Sequence, residues 1–139
     1  MRNFRKLLIA IDSSREVLKA GLKMANDEKC WVTVVKVLPK YEGDINLVGV
    51  KNIEQLLTSD GNKVASDINN ETKDERLNIR TRVEYGEPSE KIVEAAEDER
   101  CDLIVMGSRK MGWLERFLRG SIVEKVIDNA SCPVLVVRV

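Results

Sequence analysis

Apolar residues recur along this chain in two alternating periods. Lys6 to Ile11 (KLLIAI) is a short, nearly continuous apolar run followed at once by Asp12-Ser13-Ser14, which predicts a strand buried on both faces and then a helix start. Ser13 and Glu16 stand at capping-box spacing. Val17, Gly21, Met24 and Ala25 then fall on one helical stripe, and Trp31 to Leu38 is rich in β-branched residues and stopped by Pro39. Strand, helix and strand in that order make a βαβ unit.

From Tyr41 to about Thr58 the pattern is loose, and a polar helix is expected from there to about Asp74. The mixed-sign run Glu71-Thr72-Lys73-Asp74-Glu75-Arg76 reads as its solvated end. Between Asn78 and Glu84, Ile79, Thr81 and Val83 alternate with Arg80, Arg82 and Glu84, so this strand has one exposed face and belongs at a sheet edge or next to one. Gly86-Glu87-Pro88 breaks the chain, with Pro88 at a first helical position and Ile92, Val93, Ala95 and Ala96 as the inward stripe. Asp102 precedes a second buried strand, Leu103 to Met106. After a glycine-containing stretch from Gly107 to Gly120, Ser121 and Glu124 repeat the capping-box spacing ahead of Val123, Val126 and Ile127. Pro133 to Val137 closes the pattern as a last strand. Strands alternating with helices predict an α/β fold with an open, mostly parallel sheet, in one domain over residues 1–139.

Composition narrows the function. The chain has 139 residues, 43% of them hydrophobic and 33% charged, the profile of a soluble globular domain rather than a disordered one. Lys plus Arg number 23 and so do Asp plus Glu, so no overall field favours a nucleic acid or an anionic membrane. The absence of histidine excludes Ser-His-Asp and Cys-His catalysis, histidine metal sites and imidazole proton shuttling. Cys30, Cys101 and Cys132 form no C-x-x-C pair and read as buried thiols in a reducing cytosol. The longest apolar run, Leu7 to Ile11, is far short of a membrane span or a signal-peptide core, so the protein is expected to stay in the cytoplasm with no membrane partner.

Ligands of open parallel sheets bind beyond the carboxyl ends of the strands, where strand order reverses. Two segments fit that place, Asp12 to Ser14 and Gly107 to Ser121. The second carries Arg109, Lys110, Arg116 and Arg119 against one acid, Glu115, and leads into a capped helix whose N-terminus favours an anion. Each piece also has a plainer reading. Asp12 and Ser121 serve equally well as helix caps, Gly107 and Gly120 as turn glycines, and Trp113, Leu114, Phe117 and Leu118 as an amphipathic turn covering the core. There is no Walker A sequence and no G-x-G-x-x-G after the first strand. The acidic pair and acceptor Asp of a receiver domain are also missing, since those places read Asp12-Ser13 and Glu84-Tyr85.

Taken together, Leu8-Ile9-Ala10-Ile11-Asp12-Ser13-Ser14, Gly86-Glu87-Pro88, Asp102-Leu103-Ile104-Val105-Met106-Gly107-Ser108, Gly120-Ser121-Ile122-Val123-Glu124-Lys125-Val126 and Cys132-Pro133-Val134-Leu135-Val136-Val137 resemble the universal stress protein family over the whole chain. The resemblance implies a Rossmann-like, five-stranded parallel sheet in the order 3-2-1-4-5 with helices on both faces, and a homodimer formed through the last strand. It also implies a regulatory role in the stress response. The family's nucleotide-binding branch carries Gly, two residues, Gly, nine residues, then Gly-Ser or Gly-Thr; here these positions are Gly107, Lys110 in place of the middle glycine, and Gly120-Ser121. By resemblance the ligand is ATP or AMP, with Mg, and the binding set is Ala10, Asp12, Val37, Met106, Gly107, Lys110, Gly120, Ser121 and Ile122. In that set Asp12 meets the ribose, the Val37 backbone the adenine, and Gly107, Gly120, Ser121 and Ile122 the phosphates. The alternative on the same fold is a dimeric interaction module that binds no nucleotide. An enzyme is not expected beyond slow ATP hydrolysis, because Asp12 is the only acid placed in the crevice.

Overall fold

The computed structural model describes residues 4–11, 15–28, 30–38, 78–108 and 122–138. Their strands are β1 (Lys6–Ile11), β2 (Trp31–Leu38), β3 (Asn78–Tyr85), β4 (Leu103–Ser108) and β5 (Val134–Arg138), and their helices α1 (Arg15–Glu28), α2 (Pro88–Asp98) and α3 (Ile122–Asn129). The strands form one parallel sheet in the order β3-β2-β1-β4-β5, as the sequence and its family resemblance predict.

Alternation along the central strands builds a core on each face. Leu7 and Ile9 of β1, Val32 and Val34 of β2, and Leu103 and Val105 of β4 pack with Val17, Leu18, Leu22 and Ala25 of α1. Leu8, Ala10, Val35, Ile104 and Met106 point the other way, onto Ile92, Ala95 and Ala96 of α2 and Val126 of α3. This is why KLLIAI shows no period-two pattern: four consecutive residues, Leu7 to Ala10, are buried, alternately on opposite faces. Asp102 fastens the start of the central pair, its carboxylate accepting the Arg5 N–H at 2.9 Å and the Lys6 N–H at 3.2 Å.

β3 is an edge strand, in keeping with its alternating sequence. Its charged face is tied to the end of α2, with Arg82 to Asp98 at 2.8 Å and Arg80 to Glu99 at 3.1 Å. An edge carrying such charges resists pairing with another sheet.

α2 is closed at both ends. Pro88 occupies its first position and Glu87 caps it, the carboxylate accepting the Glu90 N–H at 2.9 Å and the Ser89 hydroxyl. Partial burial pushes the Glu87 carboxyl up, but the hydrogen bonds from Ser89 and Glu90 outweigh it and hold it below the ordinary value. A carboxyl lowered on folding stabilises the fold fully above its unfolded value and loses that contribution as pH falls through the folded one. Glu87→Ala is therefore expected to cost about 1 kcal/mol at neutral pH, the usual worth of a cap. In urea unfolding, the gap from wild type should narrow once pH drops below about 4.

At the other end the Cys101 N–H bonds to the Ala96 carbonyl and the Arg100 N–H to the Glu97 carbonyl, the two bonds of a Schellman motif. Its left-handed residue is Arg100, at φ 53°. Glycine fits that conformation without the Cβ penalty, so Arg100→Gly is expected to stabilise the protein by about 0.5–1 kcal/mol, read as a higher urea midpoint at unchanged slope.

Several sequence expectations shift in detail. β4 continues through Gly107 and Ser108, which the sequence assigns to a loop. Of the apolar positions the sequence places after Ser121, Val126 fills the core position and Ile127 is 53% exposed. Of the three cysteines only Cys30 is buried, its thiol donating to the Phe4 carbonyl at 2.8 Å; Cys101 and Cys132 are half-buried, and none of the three is in a disulfide. The expected polar helix ending near Asp74 and both capping-box serines, Ser13 and Ser121, lie outside the described residues.

Candidate functional site

The ladder between the two central strands is short. It couples Leu7 to Leu103, Leu8 to Ile104 and Ile9 to Val105, and stops there. Both strands go on. β1 stays paired with β2 as far as Ile11 opposite Lys36, and β4 with β5 as far as Ser108 opposite Arg138. The central strands therefore part at their carboxyl ends, with Ala10 and Ile11 on one wall and Met106 and Gly107 on the other. Strand order reverses at the same point: from β1 the chain winds outward to β2 and β3, then returns to the far side for β4 and β5. Open α/β sheets take their ligands at such a point.

Four of the expected site residues meet on one face of this opening. Ala10 and Met106 belong to the core under α2 and α3, while Val37 and Ile122 are half-buried against it. Gly107 is half-exposed in β4, opposite Val137. Because β4 and β5 are parallel, α3 carries the chain back from the carboxyl end of the sheet to the amino end, so its N-terminus at Ile122 lies at the same end as the opening. The arrangement combines an apolar wall suited to a planar ring with helix N–H groups suited to an anion.

Asp12, Lys110, Gly120 and Ser121 lie outside the described residues. In the sequence Asp12 follows Ile11 directly and Ser121 directly precedes Ile122. Sequence reasoning missed Ile11 as a wall residue; its position at the end of the KLLIAI run was the available signal.

Among the described residues no cluster of His, Cys, Asp and Glu could hold a metal ion. The half-buried thiols stand at the opposite, amino end of the sheet, just before β4 and β5. Burial, with Glu99 nearby, pushes Cys101 up to about 12, and burial raises Cys132 as well, so neither offers a thiolate at neutral pH. No helix among the described residues is long and apolar enough to cross a membrane.

Comparison with known proteins agrees with this architecture. The universal stress protein family model matches residues 3–138. Universal stress protein MJ0531 of Methanocaldococcus jannaschii is 35% identical, over 97% of this chain and 82% of its own. The solved structure of protein MJ0577 superposes with a TM-score of 0.76 at 31% identity, covering 99% of this chain and 98% of the other. The universal stress protein of Archaeoglobus fulgidus, solved in complex with dAMP, has the same fold at a TM-score of 0.63 and 22% identity, covering 97% of this chain and 98% of the other.

Proposed function

Since the chain belongs to the universal stress protein family, we propose that it is a cytoplasmic, dimeric regulator of the stress response that binds ATP or AMP where β1 and β4 part. The observation that carries this reading is that parting itself: the β1–β4 ladder ends at Ile9 and Val105 although both strands continue. The dAMP complex of the Archaeoglobus protein supports an adenine nucleotide as the ligand class.

In this reading Ala10, Val37 and Met106 wall the base, with the Val37 backbone meeting the adenine edge. Asp12 accepts from the ribose hydroxyls. Gly107, Gly120, Ser121 and the N-terminus of α3 at Ile122 hold the phosphates by N–H groups and dipole. Lys110 takes the middle glycine position of the motif, where a side chain obstructs the close backbone approach of the phosphates and weakens binding, and Mg accompanies a triphosphate. In this reading the bound nucleotide acts as a signal and hydrolysis is slow at most, since phosphoryl transfer needs metal ligands and a positioned nucleophile beyond Asp12. Titrating the purified protein with a fluorescent ATP analogue tests the reading. Saturable binding displaced by AMP is expected. No binding at about 1 mM ligand, weaker than roughly −4 kcal/mol, would instead favour an interaction module with an empty crevice.

The dimer reading rests on β5. It is the outer strand beside β4, and Leu135 on it is 37% exposed while Val134, Val136 and Val137 are half-buried. An apolar edge of this kind needs covering, and a second copy supplies the cover. Leu135 belongs to neither core, so Leu135→Lys tests the interface with little effect on the fold. It is expected to weaken the dimer roughly tenfold or more in sedimentation, by burying an unpaired charge. An unchanged dimer would place the interface elsewhere.

A further inference from the structure

The amino ends of β1, β2 and β3 carry a second concave surface, at the opposite end of the sheet from the crevice. It is a groove of about 730 Å³ lined by Lys6, Trp31, Thr33, Asn78, Arg80 and Glu99, with Cys101 at the end of α2. Strand register orders these groups. Lys6 pairs with Trp31 and Trp31 with Asn78, so the three stand in one row across neighbouring strands, about 4.8 Å apart along the row. They share the face of Leu8 and Ala10, since Lys6 lies two and four residues before them on β1.

Trp31 is 60% exposed, the most exposed of the large hydrophobic residues described. A lone surface aromatic means little. This one lines a groove of the size that small ligands occupy, between a cation and an amide. The acids nearby are already engaged. Glu99 accepts from Arg80 at 3.1 Å and Arg82 at 3.5 Å, and Asp102 accepts the Arg5 and Lys6 N–H groups. The Lys6 ammonium, in contrast, has no ion-pair partner among the described residues and makes no ring contact with Trp31. The groove thus presents an exposed indole, a cation beside it with no ion-pair partner among the described residues, and hydrogen-bonding groups from Asn78 and the buried Thr33 across it.

We propose that this groove binds a small planar aromatic anion, its ring stacked on Trp31 and its acid group held by Lys6. Stacking and charge act at adjacent positions of the row, so one ligand bearing a ring and an acid about one strand spacing apart engages both. The site is separate from the crevice between β1 and β4, and it requires nothing of a nucleotide bound there.

The test uses 2-naphthoate and its neutral analogue 2-naphthylmethanol, followed by backbone amide resonances of the full chain. Saturable shifts at Lys6, Trp31, Asn78 and Arg80 are expected with naphthoate, and weaker binding of the alcohol. Lys6→Gln should weaken naphthoate about threefold to fivefold, the range for an exposed ion pair, and leave the alcohol unchanged. Trp31→Ala should weaken both about tenfold. Both side chains are at the surface, and matching wild-type spectra outside the groove verify the fold. Excess AMP should leave the naphthoate shifts in place. The proposal is overturned by shifts that do not saturate, by equal binding of acid and alcohol, by naphthoate affinity unchanged in either variant, or by displacement of the probe by AMP.

Discussion

Gly21→Ala is expected to destabilise the protein by up to about 2 kcal/mol, although helix propensity alone argues the reverse. Alanine in the middle of a helix is favoured over glycine by about 1 kcal/mol. At this position, however, a Cβ would lie 2.5 Å from Ile9 Cδ1 and 2.7 Å from Ile9 Cγ1, and Ile9 is fully buried in the central strand. Overpacking a close-packed core costs about 1–3 kcal/mol, which exceeds the propensity gain. Shortening the opposing side chain should restore the balance. Ile9→Val alone costs about 0.5–1.5 kcal/mol, and the double variant should be less destabilised than the sum of the two, with a coupling of about 1 kcal/mol. Additive effects in urea unfolding would show that α1 and β1 do not meet at this pair.

Asp12→Ala is expected to reduce nucleotide affinity by about tenfold to a hundredfold while leaving most of the stability intact. In the sequence it follows Ile11, the last residue of β1, and the proposed binding mode makes it the ribose acceptor. Loss of a helix cap costs about 0.5–2 kcal/mol, which a fold with a core on each face of its sheet survives. Loss of a charged acceptor leaves the ribose hydroxyls poorly satisfied in the complex and costs about 1–3 kcal/mol of binding. Parallel titration and thermal melts separate the two roles. An early melt with affinity unchanged would reduce Asp12 to a cap.

The sheet was legible in the sequence because burial on one face or two writes different patterns. Leu7 to Ala10 and Leu103 to Met106 read as continuous apolar runs because neighbouring residues enter opposite cores, and Asn78 to Tyr85 alternates because it is an edge. The strand order itself came from the family resemblance, since no periodicity reports which strands lie side by side. The crevice was legible only in outline. Sequence placed Gly107 in a loop because glycine punctuates chains, whereas pairing with Val137 keeps it in β4. The early end of the β1–β4 ladder left no mark on residue types, being a matter of where two strands diverge. The groove beside Trp31 escaped notice for a related reason: Lys6, Trp31 and Asn78 are far apart in sequence and meet only through register.

Backbone amide shifts on adding AMP to the purified chain test the central claim most directly. Binding between the parted strands predicts saturable shifts at Ala10, Ile11, Met106, Gly107 and Ile122, with Lys6, Trp31 and Asn78 unmoved. Shifts centred on the amino ends of the strands, or none at about 1 mM AMP, would contradict it.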